Sequence, residues 1–270
     1  MDMQAVHDRG LVLLGCGKMG SAMLAGWLND GLPASSVWVQ DPNPSEWLRG
    51  LDGLNLNVDL PEAPAILLIA VKPQMMGDAV PNLGSYGGGD TVVLSIAAGT
   101  AIGYFESVFG AATPVIRAMP NTPAAIGRGV TALIANRRGA DSLSVAEELL
   151  RAVGQTVRLD SEEQMDAVTA VSGSGPAYVF HLIESLARAG EAQGLDPELA
   201  LKLAKATVGG AGQLAEDSDE DPGQLRKNVT SPNGTTQAGL EVLMDEETGL
   251  PPLMHRTVAA AADRSRELKG

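Results

Sequence analysis

Gly15-Cys16-Gly17-Lys18-Met19-Gly20 sets three glycines at the spacing a dinucleotide diphosphate requires. The first permits a tight turn, the second lets the diphosphate approach the backbone, and the third lets a helix pack closely on a strand. Residues 11–14 read as the strand before the loop and 21–30 as the helix after it. Met23, Leu24, Trp27 and Leu28 share one face of that helix, and Gly31 offers a stop. The bland alternative is a glycine-rich turn without a ligand, in which Cys16 is a small space filler either way.

Further candidates sit at the ends of apolar runs. Asp41 follows the second run, where a carboxylate accepts hydrogen bonds from an adenosine ribose. A carboxylate there opposes a 2′-phosphate, and the nearest following base is Arg49, so NADH is allowed. Equally, Asp41 could only open the Asp41-Pro42-Asn43-Pro44 turn and face solvent. Lys72 lies between an apolar run and Pro73, and Ile96, Ala97 and Ala98 close another run; both are strand ends of the kind that border a cofactor crevice. Arg117-Ala118-Met119-Pro120-Asn121-Thr122-Pro123 has two prolines within four positions, a stiff wall suited to pressing a nicotinamide ring or simply a rigid loop.

Ser231-Pro232-Asn233-Gly234-Thr235-Thr236 reads as a tight turn feeding a helix over 237–245. The backbone N–H groups of Gly234, Thr235 and Thr236 at that helix start would make a carboxylate site without arginine. The competing reading makes Thr235 or Thr236 an ordinary N-cap. A carbonyl reduced to an alcohol needs a proton donor, commonly Lys or His. Here no lysine falls between Lys72 and Lys202, and His7, His181 and His255 read as structural or exposed. A protonated imine enters cationic and leaves as an amine with no oxyanion, so orientation and one hydroxyl suffice. No metal site is expected.

The elements that must position these groups follow from the pattern. Residues 11–14, 37–39, 66–71, 91–96, 114–117, 130–134 and 156–159 read as strands alternating with helices, which predicts βαβ units on a parallel, doubly wound sheet. After Asp160 strand signals vanish. Ser161-Glu162-Glu163-Gln164 reads as a capping box, Asp196-Pro197 as an N-cap with a first-turn proline, and Asp221-Pro222-Gly223-Gln224 as a second capping box. Ser172-Gly173-Ser174-Gly175-Pro176 breaks a helical pattern. The expected fold class is therefore α/β, a Rossmann-type domain over 1–160 followed by an all-helical domain over 161–270. The small residues Gly209-Gly210-Ala211-Gly212 would let a partner helix approach, as in a dimer.

Composition narrows the partners. The 270 residues are 44% apolar and 3% aromatic, with 19 basic and 33 acidic side chains for a net charge of −14. That charge repels nucleic acid and anionic membrane surfaces. One cysteine cannot form an internal disulfide, and the run at 11–14 is too short for a signal segment, so a cytoplasmic location is expected.

Taken in order, GCGKMG, AVKPQ at 70–74, SIAAG at 95–99, RAMPNTP at 117–123, DAVTAVSGSGPAYVF at 166–180 and SPNGTT at 231–236 resemble the pyrroline-5-carboxylate reductase family over nearly the whole chain. The resemblance implies reduction of 1-pyrroline-5-carboxylate, a small imino acid, to L-proline with NADPH or NADH, by dimers that often assemble into a decamer. It implies cofactor contacts from Leu14, Gly15, Cys16, Gly17, Lys18, Met19, Asp41, Asn57, Ala70, Val71, Lys72, Pro73, Ile96, Ala97 and Ala98, with Asn228 nearby. It implies that Ser231, Gly234, Thr235 and Thr236 hold the substrate carboxylate, the Thr236 hydroxyl bonding the ring nitrogen. Two positions depart from the family pattern. Asn233 replaces a second glycine, and asparagine tolerates a left-handed backbone; Asp41 stands where many members carry a small or hydroxylic residue, against the family's leaning to NADPH. The runners-up are a hydroxyacid-type dehydrogenase and a nicotinamide-sensing regulator without turnover.

Overall fold

The computed structural model describes residues 3–268. Contacts divide the chain into two compact units, residues 1–173 with 262–270 and residues 174–261.

In the first unit, the apolar runs become strands because their side chains are buried on both faces of one sheet. After helix α1 (Gln4–Arg9) come β1 (Leu11–Leu14), α2 (Lys18–Asn29), β2 (Val37–Gln40), α3 (Glu46–Arg49), β3 (Asn55–Leu56), β4 (Ile66–Ile69), α4 (Met76–Ala79), β5 (Val92–Ser95), α5 (Ile102–Phe109), β6 (Val115–Met119), β7 (Gly129–Ala135), α6 (Leu143–Arg151) and β8 (Gly154–Arg158). The strand order is β3-β2-β1-β4-β5-β6-β7-β8. Alternation decides which core each side chain enters: Leu11, Leu13, Ile66 and Leu68 join Met23, Leu24, Trp27 and Leu149. Val12, Leu67 and Ile69 join Phe105, Phe109 and Val115 on the other face. The buried Trp27 indole donates to the Leu149 carbonyl at 2.8 Å, tying α2 to α6.

One expectation fails. The sheet is parallel from β3 through β6, but β7 runs antiparallel to β6 and parallel to β8. The link between β6 and β7 holds only a short 3₁₀ turn, Thr122–Ile126. A parallel return needs a crossover of a dozen residues or more, so this stiff link turns the chain straight back. The two-residue edge strand β3 was too short to leave an alternating pattern.

Beyond β8 the chain continues through the predicted capping box at Ser161 into α7 (Met165–Val168) and a π-helical segment, Thr169–Gly173. The interruption expected at 172–176 is present as the end of the π turn at Gly173 and a bend at Ser174, after which α8 (Gly175–Ala192) begins with Pro176 in its first turn. Buried Arg117 donates to Glu162 Oε1 at 2.8 Å, and the same oxygen accepts the Ile102 N–H at 2.9 Å, so the start of this segment is fixed to β6 and α5.

The second unit is helical: α8, then α9 (Pro197–Asp217), α10 (Pro222–Asn228), α11 (Thr235–Leu243) and much of α12 (Leu250–Glu267). The Asp196 carboxylate accepts the Glu198 and Leu199 N–H groups, as its N-cap reading requires. Asp221 caps α10 in the same way, but the reciprocal half of the second capping box is missing, because Gln224 Nε2 donates to Asn228 Oδ1 at 2.7 Å instead. From Ala262 onward α12 belongs to the first unit, where the Ser265 hydroxyl donates to the buried Asp166 carboxylate at 2.8 Å.

Candidate active site

The sheet's order reverses at β1, which has β2 on one side and β4 on the other. A crevice outside the carboxyl ends of the strands forms at such a point. Here it is a cleft of about 610 Å³ lined by Gly15, Cys16, Gly17, Lys18 and Ser21, by Asp41, Pro42, Asn43 and Ser45, and by Ala70, Val71, Lys72 and Met75.

The three glycines have separate geometric reasons. Gly15 has φ of 87°, a left-handed conformation, and its N–H donates to the Gln40 carbonyl at 2.8 Å. A Cβ on Gly20 would lie 2.6 Å from the Gly15 carbonyl oxygen, so helix and loop touch only because that side chain is absent. A Cβ on Gly17 would meet nothing within 4 Å. Gly17 thus faces open space, as a loop must where a diphosphate approaches its backbone. Gly17 is also the N-cap of α2, which starts at Lys18 rather than at the predicted 21. The first N–H groups of a helix have no carbonyl four residues back and point outward. These features fit a dinucleotide.

Asp41 opens the turn, as one of its two sequence readings has it, and its carboxylate also lines the cleft and braces the glycine loop. One carboxylate oxygen accepts the Cys16 N–H at 2.7 Å, bracing the glycine loop, and the other accepts the Asn43 N–H at 2.8 Å, opening the turn. Its own peptide is clasped by Asn57, whose Oδ1 accepts the Asp41 N–H at 2.9 Å and whose Nδ2 donates to the Asp41 carbonyl at 2.8 Å. Asn57 adopts φ of 52° to do this. Cys16 is buried, its sulfur 3.5 Å from the Ser21 hydroxyl. Burial pushes its thiol pKa up, with the Asp41 charge adding to that and the Ser21 hydrogen bond opposing it. A thiol held protonated is a spacer rather than a nucleophile.

The sheet brings Gly15, Cys16, Gly17, Lys18, Asp41, Ala70, Val71 and Lys72 together in the cleft. Leu14, Met19, Gly20 and Pro73 adjoin it in sequence without lining it, and Asn57 stands behind Asp41. Ile96, Ala97, Ala98, Met119 and Pro120 fall at the carboxyl ends of β5 and β6, on the same sheet edge but outside the cleft lining. There a Cβ on Gly173 would lie 2.9 Å from Met119 Cε, and Asn121 Nδ2 donates to the Ser172 carbonyl at 3.3 Å, so the proline-rich wall is held against the π turn. Sequence reasoning missed Ser21, Pro42, Asn43, Ser45 and Met75. The Pro-Asn-Pro turn after Asp41 was the available signal, read only as a turn.

In the helical unit, Asn233 adopts φ of 57°, the left-handed conformation expected where a glycine is common. The turn closes with the Gly234 N–H donating to the Ser231 carbonyl at 3.0 Å, and the Gln237 side chain reaches back to accept the Asn233 N–H at 2.7 Å. The Gly234 N–H is therefore spent within the turn, contrary to its expected outward aim. Gly234 is the N-cap of α11, which begins at Thr235 rather than at 237, and no side chain caps it. Neither threonine is the cap. Among the described residues, the exposed Thr235 and Thr236 have neither a backbone N–H bond nor a hydroxyl bond to another group. The free donors fit a carboxylate. Asn228, at the end of α10, has both amide atoms engaged, by Gln224 and Glu220.

His181 pairs with Glu184 at 3.3 Å on an exposed face of α8, while His7 and His255 are exposed on α1 and α12. Among the described residues no three His, Cys, Asp or Glu side chains converge as for a metal ion.

Residues 162–268 match the family model for pyrroline-5-carboxylate reductase dimerisation, and residues 11–99 match that for NADP oxidoreductase, coenzyme F420-dependent. The chain is 37% identical to a pyrroline-5-carboxylate reductase of Pseudomonas aeruginosa over 96% of both chains. It is 39% identical to that of Synechocystis over 96% of this chain and 97% of the relative. The solved pyrroline-5-carboxylate reductase from Coxiella burnetii superposes with a TM-score of 0.91 at 31% identity, covering 97% of this chain and 99% of that one. A pyrroline carboxylate reductase of Plasmodium falciparum with NADP bound gives 0.83 at 29% identity, covering 98% and 99%.

Proposed function

The chain belongs to the pyrroline-5-carboxylate reductase family, and from that membership we propose how its residues divide the work. The activity is reduction of 1-pyrroline-5-carboxylate to L-proline with NAD(P)H, the last step of proline biosynthesis. When bound, NAD(P)H supplies the hydride.

The α2 N-terminus and the backbone of Gly15, Cys16, Gly17, Lys18, Met19 and Gly20 hold the diphosphate. Asp41, braced by Asn57, orients the ribose. Ala70, Val71, Lys72, Pro73, Ile96, Ala97 and Ala98 continue the cofactor wall, Met119 and Pro120 flank the nicotinamide, and Asn228 adds a polar contact. Thr235 and Thr236 take the substrate carboxylate, Ser231 and Gly234 shape the turn that presents them, and the Thr236 hydroxyl holds the ring nitrogen. The protonated imine carbon accepts hydride and the nitrogen leaves as an amine, which takes a further proton from solvent. No alkoxide forms, so no lysine or histidine is required beside the reacting carbon.

The observation that carries this reading is the uncapped start of α11. Its free N–H groups and hydroxyls form a carboxylate receptor without a cation, which suits a chain of net charge −14. The division of labour sets residues 1–160 to the cofactor and 161–270 to substrate and self-association. Self-association as a dimer is supported by the dimerisation match and by exposed apolar side chains such as Phe180, Leu182 and Leu186 on α8, and further assembly to a decamer is part of the proposal. A cytoplasmic setting suits the single buried thiol, and the acidic balance disfavours nucleic acid and membrane partners. No described helix is long and apolar enough to cross a membrane.

The test is cofactor oxidation with pyrroline-5-carboxylate, and with pyruvate as control, quantifying L-proline. Proline formed in step with oxidised cofactor, and no turnover of pyruvate, is the expected result. Turnover of pyruvate alone would move the assignment to a hydroxyacid dehydrogenase, and cofactor binding without turnover of either to a regulator.

A further inference from the structure

The ribose side of the cleft is built around a carboxylate held by two hydrogen bonds, on a peptide held by two more. Asp41 directly follows β2, and its oxygens accept the Cys16 N–H at 2.7 Å and the Asn43 N–H at 2.8 Å. Asn57 holds the Asp41 peptide with two hydrogen bonds, at 2.9 and 2.8 Å. The side chain therefore cannot swing out to make room for an anion without releasing the glycine loop and the turn together.

A carboxylate accepts about four hydrogen bonds. Two are used here, which leaves acceptor capacity at the cleft. The adenosine ribose of NADH has hydroxyl donors to fill it. NADPH replaces one hydroxyl with a phosphate monoester, which carries a charge of about −2 at neutral pH and offers acceptors where an acceptor already stands.

Two cations line the cleft, Lys18 and Lys72, and neither belongs to the Asp41 turn. The wall beside Asp41 is Pro42, Asn43 and Ser45, and Arg49 does not line the cleft. Lys72 follows β4, which lies on the far side of β1 from β2. Lys18 starts α2 at the diphosphate position.

We propose that Asp41 is the residue that sets cofactor choice, and that NADH is the working reductant of this enzyme. The inference rests on the cleft being the NAD(P)H site of an imine reductase. Substrate turnover is therefore paired with a measurement that needs none.

The experiment compares kcat/KM for NADH and NADPH, and the Kd of NAD⁺ and NADP⁺ in the absence of substrate, for the wild type, Asp41→Asn and Asp41→Ser. Asparagine keeps an oxygen to accept the Cys16 N–H and removes the charge. The wild type should favour the unphosphorylated cofactor by at least roughly tenfold in both measurements, and Asp41→Asn should shift each ratio toward the phosphorylated form by a similar factor. Equal or better use of NADPH by the wild type would overturn the proposal, as would ratios unchanged in both variants. If the variants fail to fold, the wild-type ratios still decide. Binding that favours NAD⁺ with no imine turnover would sustain Asp41 as the selector while removing the reductase reading.

Discussion

The cofactor cleft and the threonine turn are both built on a helix N-terminus preceded by glycine, yet they treat their backbone donors in opposite ways. At the cleft the protein uses its own acceptors first: the Gly15 and Cys16 N–H groups go to Gln40 and Asp41. That leaves the start of α2 to face the open space at Gly17. At the turn the Gly234 N–H is used within the loop, and Thr235 and Thr236 are left with nothing. The cleft is braced by β2 and β4 on either side of β1 and by the Asp41 carboxylate. The turn is held by local bonds, Gly234 to Ser231 and Asn233 to Gln237, and its chemistry lies in unspent donors. An extended anionic cofactor needs the first kind of site, and a small carboxylate needs only the second.

The largest effect should come from filling the glycine contact that defines the cleft. Gly20→Val forces side-chain atoms onto the Gly15 carbonyl, where even a Cβ would lie at 2.6 Å. It should cost about 3 kcal/mol, roughly a hundredfold in the Kd for reduced cofactor read by fluorescence titration. A Kd within a few-fold of wild type would mean that loop and helix can part without loss.

Next comes Thr236→Val, which removes a hydroxyl and nothing else at the turn. It should lower kcat/KM for the imine by roughly thirtyfold, about 2 kcal/mol, with cofactor Kd unmoved. Equal damage to cofactor binding would break the proposed separation of the two regions.

Asn57→Ala sharpens the contrast from behind the cleft. Losing two hydrogen bonds to the Asp41 peptide should raise the cofactor KM several-fold, about 1 kcal/mol, and leave the imine KM alone. A shift in the imine KM instead would put Asn57 in the wrong region.

The smallest effect belongs to neither region. Arg158 holds the Glu147 carboxyl below the usual carboxylate range through a hydrogen bond at 2.7 Å, with burial opposing. A depressed carboxylate contributes stability above its unfolded pKa of about 4.3, and that contribution is lost as pH falls through the folded value. Arg158 is half-exposed, so solvent screens the pair and its contribution is small. The Tm gap between wild type and Glu147→Gln should be small and steady from pH 7 to about 5, and close below about 4. A gap that widens on acidification would reverse the assigned sign.

Much of this was legible in the residues. Apolar runs located the strands within a few positions, and Asp196 and Ser161 announced their helices through side-chain oxygens that cap. What failed to show has a common cause. α2 and α11 start two or three residues earlier than expected because their caps, Gly17 and Gly234, have no side chain to signal them. The direction of β7 was hidden because alternation is the same read either way along a strand. Ser21, Asn43 and Met75 reach the cleft through the adjacency of β2, β1 and β4, a tertiary fact with no local signature. The sequence offered Asp41 as a turn former or a ribose acceptor; its bond to the Cys16 N–H, which braces the glycine loop, is a third role that only the approach of β1 and β2 reveals.

The claim that substrate is held by the unspent donors of the turn is tested most directly by amide NMR on protein labelled with ¹⁵N-threonine. With cofactor present, addition of L-proline should move the Thr235 and Thr236 resonances together, saturably, and leave a buried threonine of the first unit's core such as Thr91 in place. If both resonances stay fixed while proline binds, the carboxylate sits elsewhere and the account of the turn is wrong.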